Sequence, residues 1–253
     1  MGIQGAAIAT VIGQAVSLIC YLIAQARGLL YLRLSLKEGW QCRRLAGQLY
    51  SIGIPAILNQ ALPSLLITIL NAILAAFSQT DILILGVYYK LQTFIYLTVN
   101  GIVQGIRPLV AYNYGAGMLE RVREIFKTAL CTAILVMAAG TVLCLLLPES
   151  LIGMFSANTA TVSAGAAALR IICGGFMVSS LSVVVCGTME GLGFGVMSFL
   201  ISLLRYVIVI LPSAWLLSRI IGADGVWHAF WIAEHVTAGA SAVIYRRVLR
   251  RIG

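Results

Sequence analysis

Charge is scarce in this sequence. Asp, Glu, Lys and Arg make up 10% of its 253 residues, where a soluble domain carries about a quarter. That shortage excludes an ordinary soluble globular domain. Histidine is scarcer still: His228 and His235 stand seven apart, which is no ligand spacing, so no metal site is expected. The six cysteines (20, 42, 131, 144, 173 and 186) have no paired spacing, which argues against a disulfide framework. No nucleophile, base and metal set converges, so enzymatic activity and a cofactor are not expected. Acidic residues number only eight against 17 Lys and Arg, a net charge of +9. Such an excess can mark a nucleic-acid partner, but these cations do not form one patch. Five lie in 27–44, three in 121–127 and four in 246–251, with apolar runs between, so no nucleic acid is expected.

What fills the chain is apolar: 61% of residues are hydrophobic and the mean hydropathy is +1.01. Seven stretches are long enough to cross a hydrocarbon core, which takes about 20 helical residues. They are 4–26, 46–77, 82–112, 126–147, 162–189, 196–218 and 225–245. The fold expected is an all-α integral membrane protein with seven transmembrane helices and the lipid bilayer as its solvent. The basic segments alternate between helices, as cytoplasmic segments do. The N-terminus is then outside and the basic tail Arg246–Arg251 is cytoplasmic. The segment 148–161 carries no Lys or Arg, as an external connection should.

A polar side chain in hydrocarbon faces a partner helix or a wet cavity. Tyr89, Thr93, Tyr96, Asn100, Gln104 and Arg107 recur in steps of three or four, so they share one helix face, while Leu97 is expected to point elsewhere. Tyrosine, asparagine and glutamine are too large for a tight packing seam, and this stripe reads as a cavity wall. Gln60, Ser64, Thr68 and Asn71 form a second stripe. Ser179, Ser182, Cys186 and Glu190 form a third. Their Ser and Thr hydroxyls read as helix–helix bonds. Lys90 and Arg170 sit at comparable depth, either snorkelling or tuning the cavity electrostatically. Asp81 and Glu190 fall at helix ends, where solvation is expected. Gly5, Ala9, Gly13 and Ser17 repeat every four residues, a stripe that allows close helix approach.

Arg205 and Glu234 lie deeper. Arg205 is 14 residues inward from Arg219 and Glu234 is 10 inward from Asp224, about 21 and 15 Å at the helical rise. The difference is within reach of an arginine side chain. An unpaired buried ion is costly, so the two are expected to form an intramembrane ion pair. The rival reading makes Glu234 a titrating coupling carboxylate.

Some of these residues also carry a resemblance. Tyr89-Lys90-Leu91-Gln92, Asn100-Gly101, Gln104-Gly105, Pro108 and Asn113-Tyr114-Gly115-Ala116-Gly117 resemble the second helix of the C-terminal bundle of multidrug and toxic compound extrusion (MATE) transporters. Ser202 to Tyr206 with Pro212, Gly225-Val226-Trp227 and Ile232-Ala233-Glu234 match as well. Gly5 to Thr10 resembles the helix that closes the family's first bundle. The resemblance implies three regions: 1–26, the last helix of an otherwise missing N-terminal bundle; 27–45, a cytoplasmic linker; and 46–253, a six-helix C-terminal bundle. It further implies half of an antiporter of the inner (plasma) membrane, exporting small amphipathic compounds in exchange for H⁺ or Na⁺ and inactive alone. The cavity residues would be Gln60, Asn71, Tyr89, Lys90, Thr93, Tyr96, Asn100 and Gln104, with Arg205 and Glu234 as charge pair or coupling residues. One departure matters. Some family branches carry a carboxylate near position 63, and this chain has Pro63, so its coupling carboxylate would belong to the first bundle.

Two other readings fit the topology. One is a lipid-linked oligosaccharide flippase of the same superfamily; the other is a non-transporting seven-helix protein. A retinal protein needs a Schiff-base lysine in its last helix, and 225–245 contains none.

Overall fold

The computed structural model describes residues 2–28 and 43–252. The expected linker 27–45, with Cys42, lies mostly outside the described residues. The chain divides into two compact units, Met1–Gln48 and Leu49–Gly253. In the first, α1 (Gly2–Ala26) is a single helix of 25 residues, exposed from Ala7 to Ile23, with Ser17 Oγ donating to the Gly13 carbonyl at 2.9 Å.

The second unit is built from six helical segments, and its described residues contain no strand. They are α2 (Arg43–Ala75, mostly in this unit), α3 (Gln79–Gly115), α4 (Leu119–Leu146), the bent pair α6 (Thr159–Cys173) and α7 (Phe176–Gly191), the interrupted α8 (Gly195–Leu203) and α9 (Leu211–Ile221), and α10 (Asp224–Ile252). A short α5 (Pro148–Gly153) lies in the 148–161 connection, its proline in the first turn, where no N–H is needed. Five described helices are long and apolar enough to cross a membrane, and the bent pair taken as one span makes six. That falls one short of the seven expected. The difference is α10: at 29 residues it is long enough, but Asp224, His228, Glu234 and His235 make its first half too polar.

Local signals set the boundaries. Ser78 caps α3, accepting from the Asp81 N–H at 3.1 Å and donating to its carboxylate at 2.8 Å. Asp81 is therefore half-buried and bonded, not simply solvated. The Asn113–Gly117 turn ends α3 with Gly117 in the left-handed region (φ 73°), and the Met118 N–H reaches back to the Asn113 carbonyl at 2.9 Å. Asn158 caps α6 through bonds from the Ala160 and Thr161 N–H groups.

The centre of the bundle is α7, which packs on α3, α4, α8 and α10. Its small residues make this possible. A Cβ at Gly187 would lie 2.2 Å from Val103 Cγ1, and one at Gly191 2.9 Å from the Arg107 carbonyl oxygen. Around it the core interleaves Leu66, Leu70 and Leu74 of α2, Val99, Val103 and Val110 of α3, and Ala129, Ala133 and Met137 of α4. Each set repeats at helical spacing, giving one buried stripe per helix. The sequence suggests a single span at 162–189. Instead the chain bends by 55° between α6 and α7, at Gly174 and Gly175.

Candidate functional site

Two adjoining cavities open between α2, α3, the α8–α9 segment and their neighbours. The first, of about 290 Å³, is lined by the rings of Tyr89, Tyr96, Tyr206 and Phe230, with Arg205 and Glu234 in its wall. The second, of about 230 Å³, is lined by Asn59, Gln60, Arg107, Ser182, Glu190 and Ser202 among others. Pro63, Asn100, Arg205 and Tyr206 border both and together separate them.

One of the four, Arg205, is held in an ion pair by Glu234, which lines the first cavity alone. Arg205 Nη2 donates to Glu234 Oε1, and both side chains are over nine-tenths buried. The same Nη2 lies 3.3 Å from Tyr96 Oη, which donates to Ser179 Oγ at 2.7 Å, and that hydroxyl donates onward to the Phe176 carbonyl at 2.6 Å. The guanidinium also stands 5.9 Å from the Tyr96 ring centre and 5.4 Å from that of Tyr206, within cation–π range. Charge, hydroxyls and rings thus tie α3, α7, the α8–α9 segment and α10 together at one depth. Arg205 Nε and Glu234 Oε2 have no hydrogen-bond partner among the described residues.

The backbone that presents Arg205 is unusual. Between α8 and α9, Leu204–Ile210 form a π-helical segment of seven residues. Pro212 follows at the second position of α9 and cannot donate to the carbonyl one turn back. A π turn widens the helix and re-aims its side chains, and such turns recur at functional sites. Here it places Arg205 and the adjacent Tyr206 both on the cavity walls.

A second ion pair spans the second cavity. Arg107 of α3 pairs with Glu190 at the end of α7. Glu190 Oε1 also accepts from Ser198 Oγ at 2.7 Å and from Asn59 Nδ2 at 3.3 Å. Glu190 therefore clasps α2, α3 and α8 rather than standing in solvent as a helix-end residue. Arg107 donates as well to Gln104 Oε1 at 2.9 Å.

A match to the MatE family model covers residues 55–216, more than half of the chain. The chain belongs to the MATE family. It is 25% identical over 244 residues to the multidrug export protein MepA of Staphylococcus saprophyticus, covering 96% of this chain and 54% of that protein. A MepA from Staphylococcus haemolyticus is 23% identical over 252 residues, covering 100% of this chain and 55% of that protein. Among solved structures, a MATE transporter in complex with MaL6 superposes with a TM-score of 0.91 at 18% identity, over 99% of this chain and 57% of that one. The bent form of the Vibrio cholerae MATE transporter VcmN gives 0.81 at 20% identity, over 99% and 57%. The chain spans about half the length of these relatives. Family members are transporters, not enzymes.

On this MATE fold the expected cavity residues separate. Tyr89, Thr93, Tyr96 and Asn100 line the first cavity, Asn100 and Gln60 line the second, and Arg205, which borders both, pairs with Glu234 in the wall of the first. Lys90, Asn71 and Gln104 line neither. Lys90 is one residue, 100° of helix turn, from Tyr89, and its Nζ lies 5.8 Å from the Phe155 ring centre in the connection before α6. Asn71 is half-buried, one helical turn beyond the cavity residue Ile67. Gln104 is exposed and held by Arg107. Arg170 is exposed in the last turn of α6. Leu97, expected to point elsewhere, lines the first cavity. Other lining residues lie outside the expected cavity set, among them Gln92, Tyr206 and Phe230 in the first cavity and Asn59, Glu190 and Ser202 in the second. Phe230 lies one helical turn before Glu234, and that spacing was the signal for it. Glu190 already closed the Ser179–Ser182–Cys186 stripe. Tyr206 had none, because the π turn breaks the ordinary periodicity.

Proposed function

We propose that this chain forms the C-terminal bundle of a multidrug antiporter, one wall of a transport cavity completed by a second six-helix bundle. The reading rests on one observation: the aromatic cavity of Tyr89, Tyr96, Tyr206 and Phe230 with the buried Arg205–Glu234 pair in its wall. Ring faces attract cations and Glu234 has an unpartnered carboxylate oxygen, so an amphipathic cation suits the cavity. Transport then proceeds by rocking of two bundles about a midplane cavity, driven by H⁺ or Na⁺. In this reading 1–26 is the closing helix of the other bundle, 27–45 the linker and 46–253 the C-terminal bundle. α10 completes seven crossings of the plasma membrane, with the N-terminus of this chain outside and the basic tail in the cytoplasm. The chain spans about half the length of its relatives, and in this reading a partner bundle supplies the other cavity wall and the coupling carboxylate, without which the half does not transport.

Titration of the purified chain with a fluorescent amphipathic cation tests the cavity. Saturable binding, weakened by Phe230→Ala and competed by a second amphipathic cation, is expected. Binding indifferent to Phe230 would overturn the cavity. Dye efflux from cells that express only this chain would overturn the half-transporter.

A further inference from the structure

A trough of about 580 Å³ lies between the start of α8 and the end of α10, apart from both cavities. Its floor is apolar, made by Met197, Ile244 and Val248, and its rim is Arg247, Arg250 and Arg251. The three arginines are exposed, and among the described residues none has a carboxylate within ion-pairing distance. Arg107, Arg123 and Arg205, by contrast, each hold a glutamate. Arg247 stands three and four residues before Arg250 and Arg251, so like charges crowd one helix face, an arrangement that weakens a helix unless a counter-charge answers it.

We propose that this trough binds an anionic phospholipid. Its phosphodiester takes the forked donors of Arg247, Arg250 and Arg251, and the first part of an acyl chain lies on Met197, Ile244 and Val248. Basic clusters where an apolar helix leaves the hydrocarbon attract anionic headgroups. Two alternatives match less of the surface. A zwitterionic lipid brings an ammonium group that three arginines repel. A free phosphate satisfies the arginines but leaves the apolar floor wet. The proposal requires only that the chain sits in a membrane, so it stands or falls apart from the transport reading.

The test is native mass spectrometry of the whole chain, titrated with dioctanoyl phosphatidylglycerol or phosphatidylcholine. Preferential retention of phosphatidylglycerol is expected, falling about fivefold for each of Arg247→Gln, Arg250→Gln and Arg251→Gln. Arg246→Gln, on the same tail but outside the trough, should leave retention nearly unchanged. Met197→Glu puts a carboxylate on the floor and should abolish the preference with every arginine in place. Equal retention of the two lipids by the unaltered chain overturns the site, whatever the variants do. Equal loss in Arg246→Gln overturns it in favour of diffuse surface charge. Displacement by inorganic phosphate at the lipid's own concentration overturns it in favour of a free anion.

Discussion

Gly175 stands so close to Glu234 that no methyl group fits between them. A Cβ at position 175 would lie 2.9 Å from Glu234 Cγ and 3.1 Å from Trp231 Cα. Gly175 has φ −88°, which any residue adopts, so glycine serves here for space and not for conformation. That space lets α7 start against α10 while Glu234 reaches Arg205. Gly175→Ala should therefore destabilise the bundle by about 1–3 kcal/mol, the usual cost of overpacking. Gly174→Ala, whose Cβ would meet only the Ile171 carbonyl oxygen at 3.5 Å, should be nearly neutral. Thermal unfolding in detergent reads both, and equal shifts would remove the close-approach argument.

The Arg205–Glu234 pair predicts non-additivity. Removing one partner of a buried pair strands the other charge and costs about 3–5 kcal/mol, whereas removing both leaves no unpaired ion. Arg205→Gln and Glu234→Gln should each reduce the folded yield sharply, and the double variant should recover much of it. Fluorescence-detected size exclusion measures the folded fraction. Additive losses would mean that the two charges act separately. Normal folding of Glu234→Gln would favour a coupling role for the carboxylate.

The contact between α3 and α7 carries a similar coupling without charge. Because a Cβ at 187 would meet Val103 Cγ1 at 2.2 Å, Gly187→Ala should cost about 1–3 kcal/mol. Trimming the opposing side chain with Val103→Ala makes room, so in that background Gly187→Ala should cost much less. Melting temperatures of the four proteins decide it; the same loss in both backgrounds would place the strain elsewhere.

Much of this was legible because membranes restrict the choices. An apolar run near 20 residues is a helix, and a charge inside it needs a partner. That logic brings Arg205 within reach of Glu234 from residue counting alone. Arg107 reads as part of a cavity-facing stripe and Glu190 as a solvated helix end, so spacing alone does not pair them. The structure joins them because α3 ends where α7 ends, a tertiary fact that spacing within one helix does not contain. The Gly174–Gly175 pair hints at a broken helix, but neither its 55° angle nor the π turn at Leu204–Ile210 can be read from composition. Apolar composition looks the same whether a helix is straight, broken or underwound. Lys90 shows the limit of motif reasoning: it stands beside Tyr89 in the matched segment, yet one step of helix rotation puts it on another face.

Orientation is testable with single cysteines in a background lacking the native ones. Ala157, in the connection before α6, is exposed, and so is Met118, just before α4. The positive-inside rule puts Arg121, Arg123 and Lys127 in the cytoplasm, so Ala157→Cys should react with an impermeant maleimide in intact cells and Met118→Cys only after lysis. Reaction of Met118→Cys in intact cells would invert the topology.

The last prediction concerns the wall of the first cavity. Thr93, Leu97 and Asn100 all line it, and all three are exposed in this chain. Leu135 of α4 is also exposed, at 66%, but lies outside both cavities, on a helix whose exposed side chains include the apolar Ile134, Val142 and Leu146. Exposure alone does not separate these positions; the chemistry of their surroundings does. A wet cavity lets a thiol ionise and admits a charged reagent, whereas hydrocarbon does neither. In membranes, Thr93→Cys, Leu97→Cys and Asn100→Cys should react with a charged methanethiosulfonate, and Leu135→Cys should not. An amphipathic cation that occupies the cavity should slow the first three. Leu97 is the sharpest position, because helical periodicity takes it off the polar stripe while the cavity geometry includes it. Reaction at Thr93→Cys and Asn100→Cys without Leu97→Cys would mean a polar groove along one face of α3, narrower than the cavity described.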